Sequence, residues 1–356
     1  MAKKSKKNEK FNYNASVNAL KAEGPAGLYL IWGPEDYLAD RFFEEIKKLC
    51  ITSEADDFSY RRLDERDFSL LSLKEAIDSV PFLSERSLVE VRGVDINKLK
   101  NADEYIKILS DEISAVLSDI PDYCTVVFMA PIGFEPDKRL KIYKAIQKYG
   151  KEICATAQGG DILIKWIIRR FAAEGKGIEL NAVQRLINVS GELMNGLIPE
   201  INKIASYTKG DRVTEADVDA VAHHIPEAVV FDITEALAKG ENNAAMRLLG
   251  ELLADKNNEP TMILAIVGGQ MRKMYAARVA IDNGLDKEYV MKALSLRYDF
   301  MANRLLAASR RFSTAQIRRA VELCAETDYA MKSSRTEPTE LLKECVMRIA
   351  AGEEHA

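Results

Sequence analysis

Histidine is nearly missing from this 356-residue sequence: His223, His224 and His355 are the whole complement. A catalytic triad or an imidazole metal centre needs converging side chains. His223 and His224 are chain neighbours pointing different ways, and His355 stands in the last residues, so both are nearly excluded. The His223-His224 pair reads as part of a polar linker between domains. Five cysteines, Cys50, Cys124, Cys154, Cys324 and Cys345, show no C-x-x-C spacing, which argues against zinc ligation and a disulfide framework and suits a reducing cytoplasm. The longest apolar run, 262–269, falls far short of the roughly 20 residues of a membrane span, and no hydrophobic segment follows the N-terminal lysines. A soluble, unsecreted, cytoplasmic protein is expected, without membrane contact. There is no nucleophile and base pairing, no metal-ligand cluster and no cofactor loop, so no intrinsic enzymatic activity, metal or cofactor is expected.

What is present is ordinary for a globular chain: 47% hydrophobic and 29% charged residues, enough length for two or three domains. The net charge of −5 would repel DNA phosphates, so any nucleic-acid contact has to come from local basic patches or partner subunits. Residues 1–10 carry five lysines, Lys3, Lys4, Lys6, Lys7 and Lys10, against Glu9. This reads as a disordered, solubilising tail, with a nucleic-acid arm as the alternative.

The chain is organised around residues 28–46, where an apolar strand, Leu28-Tyr-Leu-Ile-Trp32, runs through Gly33 and Pro34 into an amphipathic helix. A nucleotide-binding P-loop would sit at this turn. It needs G-x-x-x-x-G-K-[ST], because glycines let backbone N–H groups wrap phosphates, lysine neutralises them and the hydroxyl holds magnesium. Counting from Gly33, Leu38 stands at the second glycine, and Ala39 and Asp40 replace the lysine and hydroxyl. The site offers bulk and negative charge to a triphosphate: a nucleotide-binding scaffold without nucleotide chemistry. Gly175-Lys176 is no substitute, since Arg170 stands where the first glycine belongs and Gly177 replaces the hydroxyl.

Strands are expected at 28–32, 59–63, 87–91, 125–130 and 152–156. Helical patterns lie at 13–22, 37–49, 69–79, 103–117 and 137–149. That alternation implies βαβ units and a mostly parallel sheet covered on both faces. The run 125–130 has the continuous apolar character of a central strand. Beyond residue 160 the patterns are helical, with capping boxes at Thr214/Asp217 and Ser313/Gln316. The run 262–267 is apolar on every side and should be central to a bundle.

The helical pattern at 69–79 carries Leu70, Leu73, Ile77 and Val80 on one face. Pro81 stops it, because proline disfavours the helical conformation of its predecessor. Phe82 and Leu83 are left on a turn. Periodicity leaves two outcomes open: Phe82 tucks back onto its own sheet, or it stands out as a plug for a pocket on another protein.

The combination of Leu-Tyr-Leu-Ile-Trp-Gly-Pro-Glu-Asp-Tyr-Leu, then Ala-Ile-Asp-Ser-Val-Pro-Phe-Leu-Ser-Glu-Arg-Ser-Leu-Val, then Pro136-Asp-Lys-Arg139 resembles the delta-subunit family of the bacterial DNA polymerase III clamp loader. The resemblance implies an α/β plus all-α chain. Residues 1–25 would be a basic tail and lead-in helix, and 26–157 an AAA+-like, RecA-type parallel-sheet domain that binds the clamp. Residues 158–225 would be a small helical lid and 226–356 an all-helical collar. It further implies a non-catalytic subunit of a DNA-directed DNA polymerase holoenzyme, a nucleotidyltransferase, that grips the beta sliding clamp and opens its ring for loading onto primed DNA. Val80, Pro81, Phe82 and Leu83 would be the wedge. Other clamp-loader subunits, delta prime and tau/gamma, would be met through the collar, and primer-template DNA within the assembled complex. The rival readings are an ATP-hydrolysing AAA+ loader motor, disfavoured by the missing Walker residues, and a replication adaptor that never touches the clamp.

Arginines concentrate late. Arg304, Arg311 and Arg318 recur every seven residues, but the Phe312-Ser313 break spoils a continuous stripe. They read as a solvated face or as salt-bridge partners, with phosphate contact as the alternative. By the resemblance, the Lys332-Ser-Ser-Arg335 loop is DNA-facing, through Lys332 and Arg335.

Overall fold

The computed structural model describes residues 11–52, 57–98 and 111–352, which fall into two compact units. The expected basic tail and the first part of the 103–117 helix lie outside the described residues, as does His355.

The first unit holds the chain to residue 157 together with residues 193–195. Its elements are α1 (Tyr13–Glu23), β1 (Leu28–Trp32), α2 (Asp36–Cys50), β2 (Tyr60–Asp64), α3 (Leu70–Asp78) and β3 (Ser87–Arg92). A helix described over 111–116, here α4, precedes β4 (Cys124–Met129), α5 (Lys141–Tyr149) and β5 (Lys151–Cys154). The strands form one parallel sheet in the order β2-β3-β4-β1-β5. This is the RecA-type arrangement of an AAA+-like domain, with β1 between the two later strands.

Alternation within the strands explains why both faces are covered, because successive side chains point to opposite sides. Leu28 and Leu30 of β1, with Val126 and Phe128 of β4, pack against α3, α4 and α5. Tyr29 and Ile31, with Val127 and Met129, pack against α1 and α2. Every residue of β4 is buried, as a central parallel strand requires. Phe42 on α2 meets Tyr29 edge to face, ring centroids 6.3 Å apart. Burying a side chain of this size contributes about 1.5–3 kcal/mol.

The second unit holds residues 158–192 and 196 onward. It opens with α6 (Asp161–Ala173), then β6 (Gly177–Ile178), α7 (Leu180–Ser190), α8 (Met194–Tyr207), β7 (Arg212–Val213) and α9 (Glu215–Val221). The first residues of α8 belong with the first unit. The two-residue parallel pair of β6 and β7 has no sequence signal, because two residues cannot show a period. Next come α10 (Pro226–Lys239), α11 (Asn242–Ala254), α12 (Pro260–Asp282), α13 (Lys287–Ala293), α14 (Asp299–Ser309), α15 (Thr314–Ser333) and α16 (Pro338–Ala350). Helix α12 packs against α10, α14, α15 and α16, the central place that its all-round apolar run requires. Both expected capping boxes form: Thr214 with Asp217, and Ser313 with Gln316. Each satisfies two of the amide donors left open at a helix start.

Candidate functional site

The turn after β1 is built by packing rather than by phosphate geometry. Gly33 has φ 128°, and a Cβ there would lie 2.3 Å from the Ala155 carbonyl oxygen. The glycine is required because the chain after β5 passes so close. The Ala155 amide donates to the Trp32 carbonyl at 2.6 Å, and the Glu35 amide donates to the Ala155 carbonyl at 3.1 Å. A backbone donor at the position of a phosphate cradle is therefore already occupied by the chain.

Leu38 and Ala39 are buried on the inward face of α2. Asp40 points the other way and meets Arg92, at the end of β3, with Nη1 to Oδ1 at 2.9 Å. A P-loop enzyme holds magnesium with its loop hydroxyl and an acidic strand residue. Here the cation beside residue 40 is the chain's own guanidinium. Arg92 also donates to buried Glu90, which accepts from the Tyr60 hydroxyl. Burial and the Glu90 carboxylate push the Tyr60 phenol up, so it stays a donor.

Glu35 is fully buried. The Met194 amide donates to both of its carboxylate oxygens at 3.2 Å each, which serves one orphan donor at the start of α8. Burial raises the Glu35 carboxyl to about 7, against the lowering effect of that hydrogen bond. Asp36 and Asp40 on α2 place negative charge beside this turn, which opposes a triphosphate. Among the described residues no group of three or more His, Cys, Asp or Glu could hold a metal ion.

The second site is the turn between α3 and β3. Ser69 and Ser72 form a capping box at the start of α3, and the helix ends at Asp78. Val80 thus lies beyond the helix, and is 68% exposed. Phe82 is 79% and Leu83 54% exposed, while Pro81 is partly buried between them. The reading in which Phe82 tucks back onto its own sheet is overturned. Its backbone faces inward instead: the Phe82 amide donates to the Ser59 hydroxyl at 3.2 Å, and Ser59 is buried. The Thr52 amide donates to the Ser84 hydroxyl at 3.3 Å. Polar atoms of the loop are spent on the domain, which leaves the apolar side chains facing water.

The late basic residues do not form one site. Arg304 on α14 pairs with Asp232 at 2.9 Å and Glu235 at 2.6 Å, and lies over the Phe231 ring at 4.3 Å. Arg318 is on α15, beyond the break, 3.8 Å from Glu322. Arg319 is bound to Glu326 at 2.6 Å. The expected Lys332–Arg335 loop is shorter than anticipated: Lys332 is in the last turn of α15 and pairs with Asp328 at 2.7 Å, while Arg335 is exposed past the helix end.

Sequence reasoning missed Glu35, Arg92 and Phe58. Phe58, in a single 3-10 turn over Asp57–Ser59, is 82% exposed. The signal for Glu35 was its place immediately before α2 and for Arg92 its place at the end of β3; Phe58 carries no local signal.

Comparison with known proteins gives a consistent result. Residues 29–156 match the model of the family "DNA polymerase III, delta subunit", and 227–349 match "DNA polymerase III delta subunit, C-terminal domain". The chain is 22% identical over 318 residues to DNA polymerase III subunit delta of Bacillus subtilis, spanning 89% of this chain and 90% of that one. It is 21% identical over 206 residues to a probable DNA polymerase III subunit delta of Aquifex aeolicus, spanning 57% and 56%. Among solved structures, the Bacillus subtilis DNA clamp loader delta protein shares the fold, with TM-score 0.53, 21% identity, and 96% and 100% of the two chains covered.

Proposed function

The chain belongs to the DNA polymerase III delta-subunit family, and from that premise we propose that it binds the beta sliding clamp with its N-terminal domain and holds one interface of the ring open. A delta subunit is a non-catalytic accessory of the polymerase holoenzyme with a clamp-loader role in DNA replication. ATP hydrolysis falls to sister subunits, delta prime and tau/gamma being the partners of the 226–356 collar. Residues 158–225 serve as the lid that in a motor subunit would close over nucleotide. Arg335, with Lys332 beside it, faces primer-template DNA in the assembled complex.

The observation that carries the reading is the turn of Val80, Phe82 and Leu83. Three large apolar side chains stand in water on a loop whose backbone is tied down. Exposed apolar side chains held in a fixed array suit insertion into a pocket, where a central aromatic contributes roughly 2 kcal/mol or more. Such a contact shifts a closed ring toward an open one in proportion to its preference for the open form.

Calorimetry of the full chain with its own organism's sliding clamp, without ATP, is the test. Binding that weakens by on the order of 2 kcal/mol in Phe82→Ala is the expected outcome. Binding unchanged by the substitution would move the site, and no binding by either folded protein would leave the adaptor role.

A further inference from the structure

Phe58 and Phe82 flank one hydrogen bond. The acceptor, Ser59 Oγ, is one residue after Phe58, and the donor is the amide of Phe82 itself, at 3.2 Å. Ser59 is buried while Phe58 is 82% exposed, so the 3-10 turn sends the hydroxyl into the domain and the ring out of it. Two segments 23 residues apart thereby bring two solvent-facing phenylalanines to the same end of the parallel strands, at the entry to β2 and in the turn that leads to β3. The Thr52–Ser84 hydrogen bond fastens the same corner from a third segment, the exit of α2.

From this juxtaposition we infer that Phe58 is a second anchor of the clamp-binding surface, filling an apolar recess beside the one that takes Phe82. The inference rests on the proposed role of the Val80–Leu83 turn and deepens it: the docking surface is composite, contributed by the β2 entry as well as by the Pro-Phe-Leu motif. Its occupant is the sliding clamp, because the patch is continuous with Phe82 through the Ser59 hydrogen bond. An aromatic ring left in water adds nothing to the fold that a polar residue would not supply. Nothing in the turn itself requires it, since Ser59 supplies the inward contact. Central anchors in protein interfaces are commonly aromatic and sit within a polar rim. Arg61 and Glu85 are exposed charged residues, each three positions after one of the two phenylalanines.

The test is clamp binding by the full-length wild type, Phe58→Ala, Phe82→Ala and a control, Ile132→Ala. Ile132 is 84% exposed but follows β4, at the opposite end of the strands. All three side chains are solvent-facing, so unchanged thermal midpoints are expected and distinguish lost contact from lost fold. The expected result is about tenfold weaker binding for Phe58→Ala, with Ile132→Ala within twofold of wild type. Phe58→Ala within twofold of wild type, while Phe82→Ala weakens binding at least tenfold, would overturn the second anchor and leave the proposed function standing. Absence of binding by wild type would overturn both.

Discussion

Arg92 Nη1 lies 2.9 Å from Asp40 Oδ1, although 52 residues separate them in the chain. This pair puts a fixed cation where a P-loop protein recruits magnesium. Its two partners differ in burial, and so should the cost of losing each. Asp40 is half-exposed, so Asp40→Asn should cost under about 1 kcal/mol. Arg92→Met strands the buried Glu90 carboxylate and should cost about 3 kcal/mol. Urea unfolding of both variants checks the contrast; equal effects would refute it.

Gly33 offers a second test of whether the turn is a relic or a working phosphate loop. Gly33→Ala sets a Cβ against the Ala155 carbonyl in a backbone region that L-residues avoid. Strain of this kind costs about 1–3 kcal/mol, before the close contact is counted. The variant should lose stability in the absence of any nucleotide, and added ATP should raise the melting temperature of neither protein. A thermal shift with ATP in the wild type would contradict the reading.

Glu35 makes a pH prediction whose sign is set by burial. Its carboxyl titrates near 7 in the folded chain, against an ordinary 4.5. Between those values the folded state keeps a proton that the unfolded state has released. Stability therefore falls as pH rises through this window and levels off above it. Glu35→Gln should remove the fall, which amounts to about 3 kcal/mol. Denaturation midpoints of both proteins at pH 5 and pH 8 measure it, and parallel curves would exclude the assignment.

On the proposed clamp-binding reading, buried Ser59 would act by positioning the loop, through its bond to the Phe82 amide. Ser59→Ala leaves the Phe82 amide without its acceptor at a buried point, a loss of about 1 kcal/mol. Clamp affinity should fall through a faster off-rate, since a looser loop presents the same side chains at a greater entropic cost. Surface plasmon resonance separates the two rates. An unchanged off-rate with a lowered melting temperature would confine Ser59 to stability.

Much of the architecture was legible because its causes are local. Alternating apolar strands and helical periods located β1 to β5, and Thr214 and Ser313 marked helix starts by their own side chains. Pro81 announced a break, and Ala39 and Asp40 announced a site without lysine or hydroxyl. The apolar run in α12 announced a central helix. The late arginines were less readable, since a guanidinium pairs with whatever carboxylate the fold brings near. Arg304 found Asp232 and Glu235, about seventy residues earlier in the chain.

The sequence by itself determined the strand-helix alternation, the helical second half and the lack of a P-loop glycine, lysine and hydroxyl at Leu38, Ala39 and Asp40, because residue type and short-range periodicity carry that information. Tertiary structure alone decided that Phe82 faces water, that Arg92 reaches Asp40 and that Glu35 is buried against Met194, 159 residues away. Those outcomes depend on which backbone donors and acceptors find partners when distant segments meet. Ser59 took the Phe82 amide, and the ring was left outside.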